Sequence, residues 1–349
     1  MSVLDQLGWG PFFSAQLPNL NLPGPSAPGE ASARTVAARV VEEQKRYHFV
    51  TTALGTRLAR IAGKLRHAAR SRADLPAVGD FVLVEERASD NTATITHVLE
   101  RRTKLSRKEP GTDDEQVLAA NVDVALVVHG LDVEPNHRRL ERFLATAARG
   151  GVKPIVVLSK ADLCAPTAVA EATAEVQQLA PGTTVMALSA RQGQGLSALW
   201  DHMGPGTTAV VVGPSGAGKS TLVNHLAGAE LGAVSEVRES DAKGRHTTTA
   251  RTLFTLRDGT LLIDTPGIRE IEPWDAAPGL DDVFADVAGV ATACRFRDCT
   301  HEREPGCAVR EAVAEGRLVA ERYQSFQKLQ AEARAQRERQ SPWLKPRRP

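Results

Sequence analysis

The sequence predicts an α/β chain in three parts, and three observations carry that reading. Residues 34 to 99 hold five short strand-like runs, some separated by Gly- or Pro-containing breaks. From 122 onward apolar strands alternate with helical patterns, as in a mostly parallel sheet covered by helices. Near the C-terminus, CRFRDCTHEREPGC packs three cysteines and a histidine into fourteen residues.

Length and composition bound the classes. At 349 residues and 42% apolar content the chain can hold two or three domains with a real core. There is no run of 18 apolar residues, and no basic segment followed by an apolar run at the N-terminus. Neither a membrane span nor a signal peptide is expected. Three clustered cysteines out of four suit a metal site in a reducing cytoplasm better than a disulfide framework. Charge is uneven. Residues 31–112 have 16 Lys/Arg against 9 Asp/Glu and residues 317–349 have 9 against 3, leaving 113–316 at −10. Basic flanks around an acidic centre suggest contact with a polyanion, with ordinary solvated surface as the alternative.

Taken in order, residues 1–33 are read as a flexible, Pro- and Gly-rich extension. Its patch LGWGPFF (7–13) is either a short anchor or a sticky end. Residues 34–112 form a small barrel from RTVAARVV, YHFVTTA, TRLARIA, DFVLVEE and TATITHVL. An OB-fold leads, although periodicity alone leaves an SH3-like barrel open. The run RRTKLSRK (101–108) at the barrel's exit is a phosphate contact or a solvated linker. Residues 113–285 begin with the apolar strand VDVALVV. A helix follows, with Leu140, Phe143, Leu144 and Ala147 on one face, Asn136 as N-cap and Gly150 or Gly151 at its end. RTLFTLRDGTLLIDTPG reads as a hairpin turning at Arg257–Gly259. Residues 286–349 hold the Cys/His cluster, a charged helix and a basic tail.

Chemistry is carried first by GPSGAGKS: Gly213, Pro214, Ser215, Gly216, Ala217, Gly218, Lys219 and Ser220. It matches GxxxxGK[ST] between an apolar strand and a helix, the context of a P-loop. Backbone N–H groups would cradle phosphates, Lys219 would neutralise β/γ charge and Ser220 would ligate Mg²⁺. This loop also resembles that of guanylate kinases. SKAD (Ser159, Lys160, Ala161, Asp162) and DTPG decide against a kinase, and Asp162 can accept from guanine N1–H and N2, a pattern adenine cannot supply. The Lys160 stem can cover the base, and Ser189–Ala190 offers a backbone N–H to O6. In DTPG, Asp264 would hold Mg²⁺ through water and the Gly267 N–H would meet the γ-phosphate. Thr247 or Thr248 supplies the switch threonine, with Thr248 preferred. Ile268 stands where Ras-like enzymes place a water-orienting Gln, so another group must assist. His246 is the candidate, against a plain surface histidine. Cys294, Cys299, His301 and Cys307 can close a tetrahedral structural Zn²⁺ site, and Cys164 is assigned to the core.

The base-reading loops precede the phosphate loop, reversing the usual order, so the set reads as a circular permutation. The predicted fold is therefore α/β: a circularly permuted P-loop GTPase domain with an N-terminal OB-fold β-barrel and a C-terminal zinc-binding helical domain. Over residues 34 to 330 the chain closely resembles the RsgA (YjeQ) family, through GPSGAGKS, GRHTTT, DTPGIRE and the Cys–Cys–His–Cys spacing. The resemblance implies a GTP hydrolase acting late in small-ribosomal-subunit maturation, with its barrel and zinc domain on ribosomal RNA. It further implies one structural Zn²⁺, Mg²⁺ with GTP, slow turnover until the subunit binds, and a cytoplasmic monomer without membrane contact. Ser159, in place of the usual Asn, and the Pro-rich first thirty residues depart from the pattern. Rival readings are a non-enzymatic GTP-gated assembly checkpoint protein, a guanylate-type kinase and a GTPase serving another RNA.

Overall fold

The five runs fold as strands. In a computed structural model describing residues 2–20, 34–44, 46–86, 91–109, 112, 114–134, 136–228, 251–264 and 277–340, they are β1 (Arg34–Glu43), β2 (His48–Thr52), β3 (Gly55–Ile61), β4 (Phe81–Glu86) and β5 (Thr92–Val98). They close in the order β1-β2-β3-β5-β4-β1, antiparallel except for the parallel pair β3 and β5. That ring order is the OB-fold and separates it from the other barrel that periodicity leaves open. Alternate side chains, among them Val40, Val50, Val82, Val84 and Ile95, fill the interior.

β1 is long because it serves two sheets. A bulge between Val40 and Glu42 turns it away from the barrel. Glu42 and Glu43 then pair with Thr252 and Arg251 of β12 (Arg251–Thr255). Barrel and GTPase sheet thereby form one continuous eleven-stranded sheet.

The expectation of a loose N-terminal extension gives way for residues 2–20. Helices α1 (Val3–Gln6) and α2 (Pro11–Ser14) lie against the barrel. Phe13 is 1% exposed, with its ring centroid 4.3 Å from that of Phe81, and Trp9 meets Phe81 edge-on at 5.1 Å. Burying these aromatics with Leu83 and Leu99 offsets the entropy of ordering the segment. Of the two readings of LGWGPFF, the anchor is the one observed.

After α3 (Gly63–Ala68), β6 (Lys104–Lys108) and β7 (Glu115–Ala120) form a separate hairpin that straddles the boundary expected at 112. The second sheet runs β10 (Thr184–Ala187), β9 (Lys153–Ser159), β8 (Val124–Gly130), β11 (Thr208–Val212), β13 (Leu261–Asp264), β12. All are parallel except β12, which turns back from β13 through Arg257–Gly259 as expected. β8 and β11 are buried along their whole length, as strands covered on both faces should be. The covering helices are α4 (His137–Arg149), α5 (Pro166–Leu179), α6 (Ser197–Trp200) and α7 (Lys219–Ala227). Asn136 Oδ1 caps α4 by accepting from Arg139 N at 3.0 Å, and Gly151 takes the left-handed φ of 69° just past its end.

One buried arginine ties these parts together. Arg39, on β1, donates to Leu7 O at 2.5 Å, Gly79 O at 3.1 Å, Asn121 O at 3.3 Å and Thr208 Oγ1 at 2.9 Å. Those acceptors belong to the N-terminal segment, the barrel, the link to β8 and the start of β11. Burial lowers its pKa to about 10, so it stays charged at neutral pH.

The C-terminal part is helical: α8 (Ala277–Val283), α9 (Ala285–Ala291), α10 (Ala308–Ala314) and α11 (Ala320–Gln340). Leu280 and Phe284, ahead of the boundary expected at 286, belong to its core with Val309, Phe326 and Leu329. Gly279 sits tightly on α4, where a Cβ would fall 2.4 Å from Ala145 O. Arg322 of α11 forms a two-point pair with Asp286 at 2.6 and 2.8 Å, donates to Leu179 O and Val283 O, and lies over the Phe284 ring. Its fifth neighbour is the fully buried Glu141 of α4, 3.6 Å away. Among the described residues no helix is long and apolar enough to cross a membrane.

Candidate nucleotide site and metal centre

β8, β9, β11 and β13 are parallel, so their carboxyl ends share one edge of the sheet. That edge brings together the turn after β9 (SKAD), the turn after β11 (GPSGAGKS) and Asp264, the last residue of β13. β8 lies between β9 and β11, whose chain segments leave in different directions. Such a switch point is where ligands bind in open α/β sheets.

The phosphate loop is built by close approach and by glycine dihedrals. At Gly213 a Cβ would sit 2.2 Å from Val128 O, so only glycine lets the loop rest on β8. Gly216 has φ +81° with open space around it, so glycine there serves the backbone conformation. Gly218 (φ +85°) leads into α7, whose first two residues are Lys219 and Ser220. Lys219 Nζ folds back onto Gly213 O at 2.8 Å and Pro214 O at 2.5 Å. The ammonium thus lies over the loop's mouth, beside the N-terminal amides of a helix. This is an anion site in form.

The base side has its own frame. Ser159 is buried at the end of β9, and its Oγ is 2.5 Å from Ala217 O and 3.2 Å from His129 O. Having one proton, the hydroxyl donates to the nearer carbonyl, which lies in the phosphate loop. The side chain that replaces Asn still joins the base and phosphate loops. Lys160 adopts φ 61°, and its Nζ pairs with Asp132 at 2.6 Å. The Lys160 hydrogen bond holds the Asp132 carboxyl below its ordinary range. A Cβ on Gly130 would lie 3.6 Å from both Lys160 Cδ and Ala217 Cα, so the lysine stem runs over bare backbone beside the phosphate loop. Ala161 N donates to Leu188 O at 3.1 Å, fastening SKAD to the strand that leads into buried Ser189 and Ala190. Ser159, Lys160, Asp162, Ala190, Gly218 and Thr221 line a cleft of about 200 Å³. Asp132 and Gly130 carry no sequence signal of this role. Cys164 donates to Leu131 O at 3.3 Å and stands apart from the other cysteines. His246, Thr247, Thr248, Gly267 and Ile268 lie outside the described residues.

The ligand atoms of Cys294, Cys299, His301 and Cys307 all lie within 4.8 Å of one another. His301 Nδ1 is 3.6 Å from Cys294 Sγ and 3.4 Å from Cys307 Sγ, and those sulfurs are 4.0 Å apart. A tetrahedral ion with legs of about 2.3 Å to sulfur and 2.0 Å to nitrogen separates its ligands by roughly 3.5–3.8 Å. The cluster therefore fits zinc in donor type and in size. Burial pushes the His301 pKa down, favouring the neutral ring that a metal requires. Glu304 closes the loop around the ligands, accepting from Thr300 N at 2.9 Å, Glu302 N at 3.0 Å and Arg303 N at 3.1 Å.

Sheet, phosphate loop and base loop in this chain order define a circularly permuted P-loop GTPase with an OB barrel and a Cys₃His module. The RsgA GTPase family matches residues 98–274. The small ribosomal subunit biogenesis GTPase RsgA of Opitutus terrae is 42% identical over 340 residues, covering 95% of this chain and 89% of that protein. The Streptomyces coelicolor protein of the same name is 47% identical over 256 residues, 73% of this chain and 69% of its own. The crystal structure of YjeQ from Thermotoga maritima superposes with a TM-score of 0.63 at 25% identity, covering 86% of this chain and 98% of that one. YloQ, described as a circularly permuted GTPase, gives 0.62 over 92% of this chain and all of its own, at 23% identity. The chain belongs to the RsgA family of ribosome-biogenesis GTPases and is a GTP hydrolase.

Proposed function

We propose that this GTPase works on the maturing small ribosomal subunit, which its relatives' name specifies, and that the subunit stimulates hydrolysis. The observation that carries this reading is the pairing of β12 with barrel strand β1. β12 begins three residues after Thr248, so contacts made by the barrel can reach the nucleotide switch through one sheet.

In this reading Asp162 takes the guanine N1 and N2 hydrogens, while the Lys160 stem lies over the ring and Ala190 N–H meets O6. The amides of residues 213–220 and Lys219 hold the β- and γ-phosphates and stabilise the charge that develops as water attacks in line. Ser220 and Asp264 offer the hard oxygen donors that Mg²⁺ selects, and the ion neutralises phosphate charge when bound. Thr248 and Gly267 complete the γ-phosphate contacts. Ile268 cannot orient water, so His246 does so in the subunit-bound protein. Cys294, Cys299, His301 and Cys307 hold one structural Zn²⁺. The protein acts as a cytoplasmic monomer, with its barrel and zinc module against ribosomal RNA.

Cosedimentation of the full chain with purified small subunits tests the partner. Retention is expected with a non-hydrolysable GTP analogue and release with GDP. Equal absence of binding in both nucleotide states would overturn the assignment.

A further inference from the structure

A positively charged cavity lies away from the nucleotide site, where barrel, β6–β7 hairpin and β12 meet. It has a volume of about 720 Å³, and Arg46, Arg66, Arg72, Arg107 and Arg251 line it against one carboxylate, Glu43. Glu43 is shared: Arg251 Nη1 donates to it at 2.8 Å, and Arg72 approaches it at 4.0 Å while also pairing with Glu109. Arg107 hydrogen-bonds the neutral Gln116 amide oxygen at 3.0 Å. His48, only 6% exposed, lines the same cavity, and its Nδ1 has no hydrogen-bond partner among the described residues.

We propose that this cleft receives the phosphodiester backbone of a single-stranded RNA segment, and that Arg251 links its occupancy to the nucleotide switch. The first argument is charge. Five guanidiniums against two carboxylates, Glu43 and Glu109, form an incompletely neutralised cage, and planar guanidiniums match phosphate oxygens in pairs. Burial and the neighbouring charges of Arg251 and Arg72 push the Arg107 pKa down, which marks like-charge crowding that an anion would relieve. The second argument is position. Arg251 is the first residue of β12, three after Thr248, and its register partner is Glu43 on β1. A phosphate that competes with Glu43 for Arg251 acts on the strand leaving the switch. The inference rests on the reading that RNA is the partner and names where a strand is gripped.

The test uses the full chain, GDP and a labelled twelve-nucleotide oligouridylate, with anisotropy read across a potassium chloride series. Arg66→Gln/Arg107→Gln is compared with wild type and with Arg138→Gln/Lys153→Gln, which removes two exposed cations outside the barrel, the cleft and the zinc module. Losing two phosphate contacts should weaken binding about tenfold and lower the log–log salt slope by about 1.4, at about 0.7 per contact for single strands. The control pair should change neither, and basal GTP turnover should be the same in all three proteins, since Arg66 and Arg107 lie outside the nucleotide site. RNA binding by wild type with unchanged affinity and slope in the cleft variant would overturn the cleft while leaving the RNA partner standing. Failure of wild type to bind the oligomer, or displacement of the oligomer by tripolyphosphate at equal phosphate concentration, would overturn the proposal as well. The ribosomal reading itself fails or stands separately, on cosedimentation with small subunits.

Discussion

Ser159 Oγ lies 2.5 Å from Ala217 O, joining the loop that reads the base to the loop that holds the phosphates. The familiar base-reading motif has Asn here, and its loss would predict slack between the loops. Instead a shorter side chain does the bracing, because β9 and the phosphate loop approach so closely that a Cβ on Gly218 would lie 3.4 Å from Ser159 Oγ. Ser159→Ala leaves a buried carbonyl without its donor, which costs about 1–2 kcal/mol. Guanine nucleotide binding should weaken roughly five- to thirty-fold, since 1.4 kcal/mol is about tenfold. Titration with a fluorescent GDP analogue reads this directly, and unchanged affinity would show that the brace is ornamental.

Lys219 folds onto its own loop, where an incoming phosphate would displace two carbonyl contacts. Lys219→Ala should lower single-turnover hydrolysis at saturating GTP by at least about 10²-fold, the scale for removing one transition-state donor. A rate within about twofold of wild type would remove the lysine from the mechanism.

Arg39 is the point where four parts of the chain meet. Arg39→Met takes the arginine donor from Leu7 O, Asn121 O and Thr208 Oγ1, leaves Gly79 O with only the Asn121 amide, and should destabilise the fold by about 3 kcal/mol or more. Arg39→Lys should recover only part, because an ammonium cannot span the acceptors of a planar fork. The urea midpoint is the readout, and a methionine variant as stable as wild type would contradict the assignment.

Glu304 supports the loop that carries the Cys₃His cluster without belonging to the cluster. Its hydrogen bonds to Thr300 come first in holding its pKa down to about 2, against an ordinary 4.5. A depressed carboxyl stabilises the fold above its unfolded pKa, and that contribution is lost as pH falls from 4.5 towards 2. Glu304→Ala should speed chelator-driven zinc release by about tenfold, as other supporting contacts do. The gap between variant and wild type should be the same at pH 7 and pH 5. A metallochromic dye measures both rates, and equal release by the two proteins would refute the role.

The five barrel strands and the β12–β13 hairpin were legible because alternation and turn residues are local signals. The strand order around the barrel was not, since pairing depends on contacts distant in sequence. The docking of residues 2–20 was half legible: Trp9 and Phe13 are conspicuous, but nothing nearby says which surface receives them. Glu141 reads as a polar face of α4 until Arg322, 181 positions later in sequence, packs over it. At the site, the phosphate loop and cysteine cluster announce themselves by spacing. Asp132 does not, because its link to Lys160 exists only once β8 and β9 are neighbours.

If a small ribosomal subunit switches on this GTPase, GTP turnover reads the switch. Purified protein is assayed alone and with stoichiometric small subunits, with large subunits and free tRNA as controls. Slow basal hydrolysis is expected, with strong stimulation by small subunits alone and loss of most of that stimulation in His246→Ala with GTP binding retained. Turnover that stays at its basal level with every partner would contradict the switch.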